Sequence, residues 1–170
     1  MIPKFGEPVA PGIDYKERIG AYALLPRNDL VLITHQAEPI PEFQLPGGAI
    51  DPGESPMAAL HREVLEETGW KIGAGRLLCS FMRYAYLPEY DQWARKVCHV
   101  FLAIPVRRLG PPEEKYHTAH WMPVELAIEL LDDPGNIAVM RAYASIGNSR
   151  YFSTNFRSRK TSVARGHVRS

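Results

Sequence analysis

Four glutamates and one arginine in one short segment are the residues with the clearest chemical potential in this chain. Glu63, Glu66 and Glu67 stand at spacings of i, i+3 and i+4, so one face of a helix would present all three carboxylates. Such like charges repel by about 0.2–0.5 kcal/mol per pair, yet clustered hard oxygen ligands are what Mg²⁺ or Mn²⁺ requires. Glu54 adds a fourth carboxylate, and Arg62 can hold one of them through a charge-assisted hydrogen bond. From spacing alone, a metal site and an ordinary solvated acidic face both stay open.

The segment that carries these residues has the boundary signals of a helix from about Ser55 to Thr68. Ser55 suits the N-cap, Pro56 suits the first helical position, and Gly69 suits the position just past the end. A second stripe at helical spacing is expected to face the core. This stripe consists of Met57, Leu60, Val64 and Thr68.

The wider pattern around the helix resembles the signature of the Nudix hydrolase family. Residues 48–70 read GAIDPGESPMAALHREVLEETGW. The signature runs Gly, five residues, Glu, seven residues, Arg-Glu, an aliphatic residue, any residue, Glu-Glu, any residue, Gly and an aliphatic residue. The matching positions are Gly48, Glu54, Arg62, Glu63, Val64, Glu66, Glu67 and Gly69. Trp70 departs from the pattern, because a smaller aliphatic residue is usual there, and the preceding Leu-Pro-Gly-Gly also resembles the family's entry to the motif.

What the resemblance implies is an α/β fold, a Nudix-type α/β/α sandwich with a mixed β-sheet and a loop–helix–loop catalytic motif. Members of the family hydrolyse a nucleoside diphosphate linked to another moiety, and they use Mg²⁺ or Mn²⁺ as cofactor. Dense negative charge on pyrophosphate suits metal-assisted hydrolysis, and a carboxylate near the attacking water can accept its proton. We expect Glu66 or Glu63 in that role.

The resemblance also implies a role for each matching residue. The implied metal ligands are Glu63, Glu66 and Glu67, with Glu54 as an outer or additional ligand. Arg62 is implied to orient a glutamate for catalysis. The glycines implied to serve the backbone turns of the motif are Gly47, Gly48 and Gly69.

The remaining sequence predicts a domain of short strands and two further helices. Apolar runs predict strands at 19–25, 30–35, 43–45, 75–86, 97–104 and 120–122, and helices at 123–131 and 136–146. The turn residues at 26–29 predict a hairpin between the first two strands. We therefore divide the chain into an irregular lead-in (1–17), a Nudix domain (18–146) and a tail (147–170).

Candidate substrate contacts lie outside the motif. Arg83, Tyr84 and Tyr86 combine stacking surface with a cation, and a tyrosine at this offset resembles the dinucleoside polyphosphate branch of the family. Ordinary strand packing explains alternating aromatics equally well. Glu114 lies where many relatives supply an extra carboxylate, whereas the nearby histidines are expected to be surface or hydrogen-bonded residues.

Charge is spread unevenly along the chain. The formal net charge is +1, but residues 147–170 hold six basic residues and no acidic one, which leaves 14 basic against 19 acidic residues and a net charge of −5 in the rest. We expect a solvated, flexible tail, with a weak contact to RNA or acidic lipid as the alternative. The two cysteines are expected to be buried thiols.

The function predicted on these grounds is pyrophosphohydrolysis of a small nucleotide, either a nucleoside triphosphate or a dinucleoside polyphosphate. The alternatives are an RNA 5′-end pyrophosphohydrolase and a non-catalytic nucleotide-binding regulatory module. Because the sequence has neither a secretory signal nor an apolar run of the roughly 20 residues that a membrane helix needs, we expect a cytoplasmic protein without a membrane partner. RNA as partner and a homodimer remain alternatives.

Overall fold

A computed structural model describes residues 2–147, and in this part of the chain β-sheets lie between helices as an α/β/α sandwich. Helix α1 (Pro56–Thr68) covers one side, while α2 (Val124–Leu130) and α3 (Pro134–Gly147) pack on the other. The fold class predicted from the sequence is therefore confirmed. Residues 148–170 lie outside the described residues, so the flexible tail stays a prediction.

Eleven strands form three sheets within the described residues. In chain order they are β1 (Lys4–Gly6), β2 (Lys16–Leu24), β3 (Pro26–Arg27), β4 (Leu30–Gln36), β5 (Glu42–Gln44), β6 (Gly47–Ala49), β7 (Trp70–Ile72), β8 (Arg76–Leu87), β9 (Gln92–Leu102), β10 (Pro105–Arg108) and β11 (His117–Pro123). The five-stranded sheet has the order β1-β8-β9-β2-β6, and it is mixed because β2 runs parallel to β9 whereas β8 runs antiparallel to it. The second sheet has the order β11-β4-β3 with β5 also on β4, and β7 pairs with β10.

The predicted hairpin between 19–25 and 30–35 is wrong. Strand β2 pairs with β9 and β6, whereas β4 pairs with β11 and β5, so the two strands are central in different sheets. The turn closes only the two-pair ladder of β3 with β4. Both strands bury residues on both faces, as expected of strands inside a sheet that has a layer packed on each side, and their partners come from distant parts of the chain.

Alternate residues of the central strands enter two separate cores. In β2, Tyr22 and Leu24 join the core under α2 and α3, whereas Ala21 and Ala23 join the core under α1. The period-two alternation of a strand thus serves both helical layers. The α1 core is lined by the helix residues Ala59, Leu60 and Val64, with Met57 packed against them.

Helix α1 begins and ends as its boundary residues predict. The Ser55 hydroxyl accepts a hydrogen bond from the Ala58 N–H (3.1 Å). At the other end Gly69 adopts a left-handed φ of 73°, and a Cβ there would collide with the Gly110 carbonyl oxygen. Glycine is therefore required at this position both for conformation and for space.

No helix between residues 2 and 147 is both long and apolar enough to cross a bilayer.

Candidate active site

Arg62 is the centre of the carboxylate cluster that the motif predicts. Its Nε and Nη2 atoms donate to the two oxygens of Glu54 at 3.0 and 2.9 Å, and its Nη1 donates to Glu63 at 2.7 Å and to Glu66 at 3.4 Å. A further bond from Nη2 to the Ala49 carbonyl oxygen (3.1 Å) fixes the guanidinium against β6. One guanidinium thus brings together three of the four predicted carboxylates.

Gly48 lets the Glu63 carboxylate lie directly against the backbone of β6. A Cβ built on Gly48 would lie 2.5 Å from the Glu63 carboxyl carbon, which is far inside van der Waals contact. A side chain at this position would therefore displace the carboxylate. The glycine of the motif is a steric requirement of the cluster.

Glu67 turns away from Arg62 and towards β11. Its side chain is buried, and its Oε2 accepts a hydrogen bond from the Gly47 N–H (2.9 Å). Its Oε1 lies 3.3 Å from Nε2 of His117, close enough for an ion pair, although neither nitrogen of that buried ring makes a well-directed hydrogen bond to another described residue. The sequence expectation for His117, an ordinary surface or hydrogen-bonded histidine, therefore missed this pairing. No local sequence pattern predicts the pairing of Glu67 with His117, because fifty positions separate the two residues.

Burial and charge shift the protonation of these groups in opposite directions. Burial raises the pKa of Glu63 and of Glu67 above the ordinary glutamate value, only partly offset by Arg62 and His117 respectively. Hydrogen bonds from Arg62 hold the pKa of the partly buried Glu54 below its usual range. Burial lowers the pKa of His117, but the carboxylate of Glu67 outweighs it, so the net shift is upward.

The donor set fits a divalent cation chemically. Within residues 2–147, no three His, Cys, Asp or Glu side chains already surround a common point as metal ligands. Three carboxylates nevertheless lie around one cationic partner, Arg62, and one of them, Glu63, lies against the backbone of Gly48. Carboxylate oxygens are the ligands that Mg²⁺ and Mn²⁺ prefer. Glu54, Glu63 and Glu66 are thus the residues that could hold such an ion, with Glu67 behind them.

A pocket of about 280 Å³, called here the β8 pocket, lies between β8 and the segment that leads into β5. Its charged lining residues are Glu42, Arg83, Glu89, Lys96 and Asp132, and its apolar lining includes Pro39, Ile40, Pro41, Leu87 and Pro88. Arg83 is held at the pocket wall by Asp133 (2.5 Å) and Glu42 (3.2 Å). The pocket combines apolar surface with both donors and acceptors.

Lys96 lines the β8 pocket and also lies near Tyr22 of β2, the strand that pairs with β6. Its ammonium lies 5.9 Å from the centre of the Tyr22 ring, and Tyr22 is the register partner of Gly47 across β2 and β6. Burial raises the pKa of Tyr22, and the negative charge that Tyr22 would carry on ionising raises the pKa of Lys96, so at neutral pH the lysine is cationic and the phenol is neutral. A positive charge therefore lies at the wall of the β8 pocket.

The predicted substrate contacts divide between two faces of β8. Arg83 lines the β8 pocket and Tyr86 stands at its rim, but the Tyr86 hydroxyl donates to Asp91 and its ring packs on Trp93. Tyr84 packs edge-to-face on Tyr15 with ring centres 5.0 Å apart, away from the pocket.

Glu114 belongs instead to the loop that adjoins the end of α1. Its N–H donates to the Glu66 carbonyl oxygen (3.0 Å), and its negative charge acts on the pKa values of Glu67 and His117. The structure therefore places this carboxylate on the Glu67 side of the cluster.

Comparison with known proteins places the whole arrangement in one family. The family model described as "NUDIX domain" matches residues 15–143, which is most of the chain, so the chain belongs to the Nudix family. Similar solved structures include a NUDIX hydrolase from Nitrosomonas europaea (TM-score 0.63, 19% identity, 76% of this chain and 90% of that one). A MutT NUDIX hydrolase from Burkholderia pseudomallei is also similar (TM-score 0.58, 22% identity, 74% of this chain and 97% of that one). At these identities the likeness shows the fold alone.

Curated relatives match over shorter spans. The chain is 32% identical over 91 residues to a CMP-5′-(N-acetyl-N-hydroxy-3-aminopropyl)phosphonate hydrolase of Streptomyces rubellomurinus, which covers 52% of this chain and 41% of that protein. It is 32% identical over 108 residues to diphosphoinositol polyphosphate phosphohydrolase 3-beta of Bos taurus, 62% of either protein. The matches thus span roughly half of these relatives' lengths.

Proposed function

We propose that this protein is a metal-dependent pyrophosphohydrolase that cleaves a nucleoside diphosphate linked to another moiety, with a nucleoside triphosphate or a dinucleoside polyphosphate as substrate. The observation that supports the proposal is that all four motif carboxylates are present, three of them gathered by Arg62 and the fourth, Glu67, bonded to the Gly47 N–H. A regulatory module that had lost catalysis would be expected to have lost ligands from this set.

The chain's own residues provide positioning and proton transfer. When bound, Mg²⁺ or Mn²⁺ supplies charge neutralisation for the pyrophosphate oxygens and activates water for attack. Glu66 or Glu63 accepts the proton of the attacking water. Arg62 fixes the carboxylates in place, while Lys96 contributes a positive charge on the side from which the organic part of the substrate enters.

The charges of the β8 pocket favour a nucleotide over an inositol polyphosphate. Three carboxylates line it against the two cations Arg83 and Lys96, and Arg83 is already paired with Asp133 and Glu42. A densely phosphorylated inositol ring, the substrate type in the name of the bovine relative, would meet net negative charge there. A nucleobase is neutral, has an apolar face and carries hydrogen-bond donors, so it suits these carboxylates and prolines.

A panel assay tests the reaction and the substrate together. The chain is incubated with Mg²⁺ or Mn²⁺ and with nucleoside triphosphates, dinucleoside polyphosphates, ADP-ribose, a diphosphoinositol polyphosphate and triphosphorylated RNA. We expect metal-dependent release of pyrophosphate from a triphosphate, or of mononucleotides from a dinucleoside polyphosphate. A preference for the inositol compound or for RNA would contradict the proposed substrate class. If none of the compounds were hydrolysed, the proposal that the protein is an enzyme would be contradicted.

The variant Glu66→Gln tests the catalytic assignment. The amide keeps the shape but loses the charge and the basicity, so turnover should fall by about 10²-fold or more while the melting temperature stays close to that of the parent. Glu113→Gln is the matched control, because that side chain is exposed on the neighbouring loop. Near-normal turnover of Glu66→Gln would remove Glu66 from the mechanism.

A further inference from the structure

A second pocket lies at the far end of α1, away from the β8 pocket. Its volume is about 490 Å³, which falls within the range of small-molecule sites, roughly 300–1,000 Å³. Trp70 of β7 and Trp121 of β11 form its aromatic wall, and Arg27 and Arg108 lie at its edges. We call it the tryptophan pocket.

The two tryptophans form a fixed aromatic corner. Their rings meet edge to face, with centres 5.5 Å apart and planes at 85°. Both side chains remain partly exposed, although they also pack on the α1 core. Such a corner offers a π-face and a ring edge to a planar guest, and a base can stack on an aromatic side chain whatever its sequence identity.

The two arginines of the pocket lack acidic partners in the described chain. The Arg27 guanidinium lies 5.3 Å from the Trp70 ring centre and 5.9 Å from that of Trp121, and Arg108 donates to the Gly110 carbonyl oxygen (3.1 Å). Neither guanidinium has a carboxylate within 4.0 Å among residues 2–147, whereas Arg62, Arg83 and Arg95 all do.

Among residues 2–147, no acidic side chain lines this pocket either. Its other walls are Leu32, Thr68, Pro112, Thr118 and Ala119. The body of the chain carries a net charge of −5, so two uncompensated cations beside two indole rings stand out from their surroundings. The local field favours an anion, and the rings favour an aromatic group.

We propose that the tryptophan pocket binds a small aromatic anion of the nucleoside monophosphate class, with the base on the tryptophan corner and the phosphate between Arg27 and Arg108. This site is separate from the β8 pocket and does not depend on the proposed hydrolysis. The loop that supplies Pro112 continues into residues whose N–H groups donate to the Glu66 carbonyl oxygen at the end of α1, so the occupied pocket adjoins the catalytic helix.

Tryptophan fluorescence reports on this pocket directly. The chain has three tryptophans, and the third, Trp93, packs on Tyr15 and Tyr86 elsewhere. In a Trp93→Phe background, both remaining indoles line the pocket. Adenosine, guanosine, cytidine and uridine monophosphates are titrated to about 5 mM into the intact metal-free chain, with absorbance correction, and calorimetry provides a second readout.

We expect saturable quenching by at least one nucleotide, and affinity about ten-fold weaker or worse for the matching nucleoside and for inorganic phosphate. Arg27→Ala and Arg108→Ala should each weaken binding about ten-fold. Trp70→Leu, which restores the usual residue type of the motif, should weaken it similarly by calorimetry. Arg107→Ala is the matched control, because Arg107 is exposed beside Arg108 without lining the pocket.

Two results would overturn the proposal. The first is no saturable binding of any of the four nucleotides. The second is binding that survives Arg27→Ala and Arg108→Ala but is lost in Arg83→Ala, which would place the ligand in the β8 pocket instead. Circular dichroism melting of each variant shows whether it is folded, and the two arginine variants alter exposed side chains, so a failure of both to fold is not expected.

Discussion

Arg62 makes a bidentate ion pair with Glu54: its Nε donates to Oε1 at 3.0 Å and its Nη2 donates to Oε2 of the same carboxylate at 2.9 Å. These residues lie eight positions apart, one in the loop before α1 and one within it. The paired bonds tie the loop to the helix and leave Nη1 free to reach Glu63 and Glu66. Lysine has one charged atom and cannot reproduce this fork.

The substitution Arg62→Lys should therefore lower kcat/KM by about 10–100-fold, corresponding to about 1.4–2.7 kcal/mol of transition-state stabilisation. Mn²⁺ affinity, measured by calorimetry, should weaken in parallel because the carboxylates lose their common anchor. Arg107→Lys, at an exposed position of β10, is the control for replacing an arginine by lysine outside the cluster. Unchanged kinetics in Arg62→Lys would show that the second point of attachment is irrelevant.

Gly48→Ala tests the steric requirement of the cluster. The added methyl group would occupy the space of the Glu63 carboxylate, so we expect activity to fall by about 10²-fold with little change in far-ultraviolet circular dichroism. Gly110→Ala is the control, since a Cβ there meets no atom within 4 Å. If Gly48→Ala retained full activity, the position of Glu63 would not matter for catalysis.

The buried pair of Glu67 and His117 predicts how stability depends on pH without metal. Burial raises the folded-state pKa of Glu67, and Glu67 raises that of His117, so the folded chain binds more protons than the unfolded chain above the ordinary glutamate range. Stability from both groups is thus present below their unfolded pKa values, about 4.3 and 6.5, and is lost as pH rises through the folded values.

Glu67→Gln should flatten this dependence. In EDTA, the fall in unfolding free energy between pH 5.5 and pH 8 should be smaller in the variant than in the parent, by on the order of 1 kcal/mol, as measured by urea denaturation. The variant should also lose Mn²⁺-dependent activity. Glu113→Gln should leave the pH dependence of the parent unchanged, and an equal fall in parent and Glu67→Gln would contradict the assignment.

The substitution Lys96→Met tests the positive charge that lines the β8 pocket. Methionine keeps much of the length and apolar volume but not the charge, so KM for an anionic substrate should rise about ten-fold while kcat changes much less. Lys71→Met, on the exposed face of β7, is the matched control. A fall in kcat with constant KM would instead place Lys96 at the reacting phosphates.

Local sequence information was enough for α1. The Ser55 cap, the apolar residues Leu60 and Val64 and the terminal Gly69 all act within one helical segment, and the structure places them as predicted. The sequence also predicted that Arg62 holds one carboxylate, and the structure adds that it holds three, those of Glu54, Glu63 and Glu66.

The pairing of the strands could not be predicted from local sequence. The turn after β2 suggested a hairpin with β4, but β2 pairs with β9 and β4 pairs with β11, strands from far along the chain. A turn motif reports only on its neighbours, whereas pairing is decided by which apolar faces meet.

By itself, then, the sequence determined the helix of the motif and the spacing of its carboxylates, because these depend on periodicity, capping and motif spacing within a few turns of chain, whereas the sandwich architecture was predicted from the order of the elements and from the resemblance to the Nudix family. The tertiary structure alone decided that Glu67 faces His117, that Arg83 lines a pocket while Tyr84 does not, and that Trp70 meets Trp121. These pairings depend on sheet register and on the packing of α1, which bring together side chains that no local pattern relates.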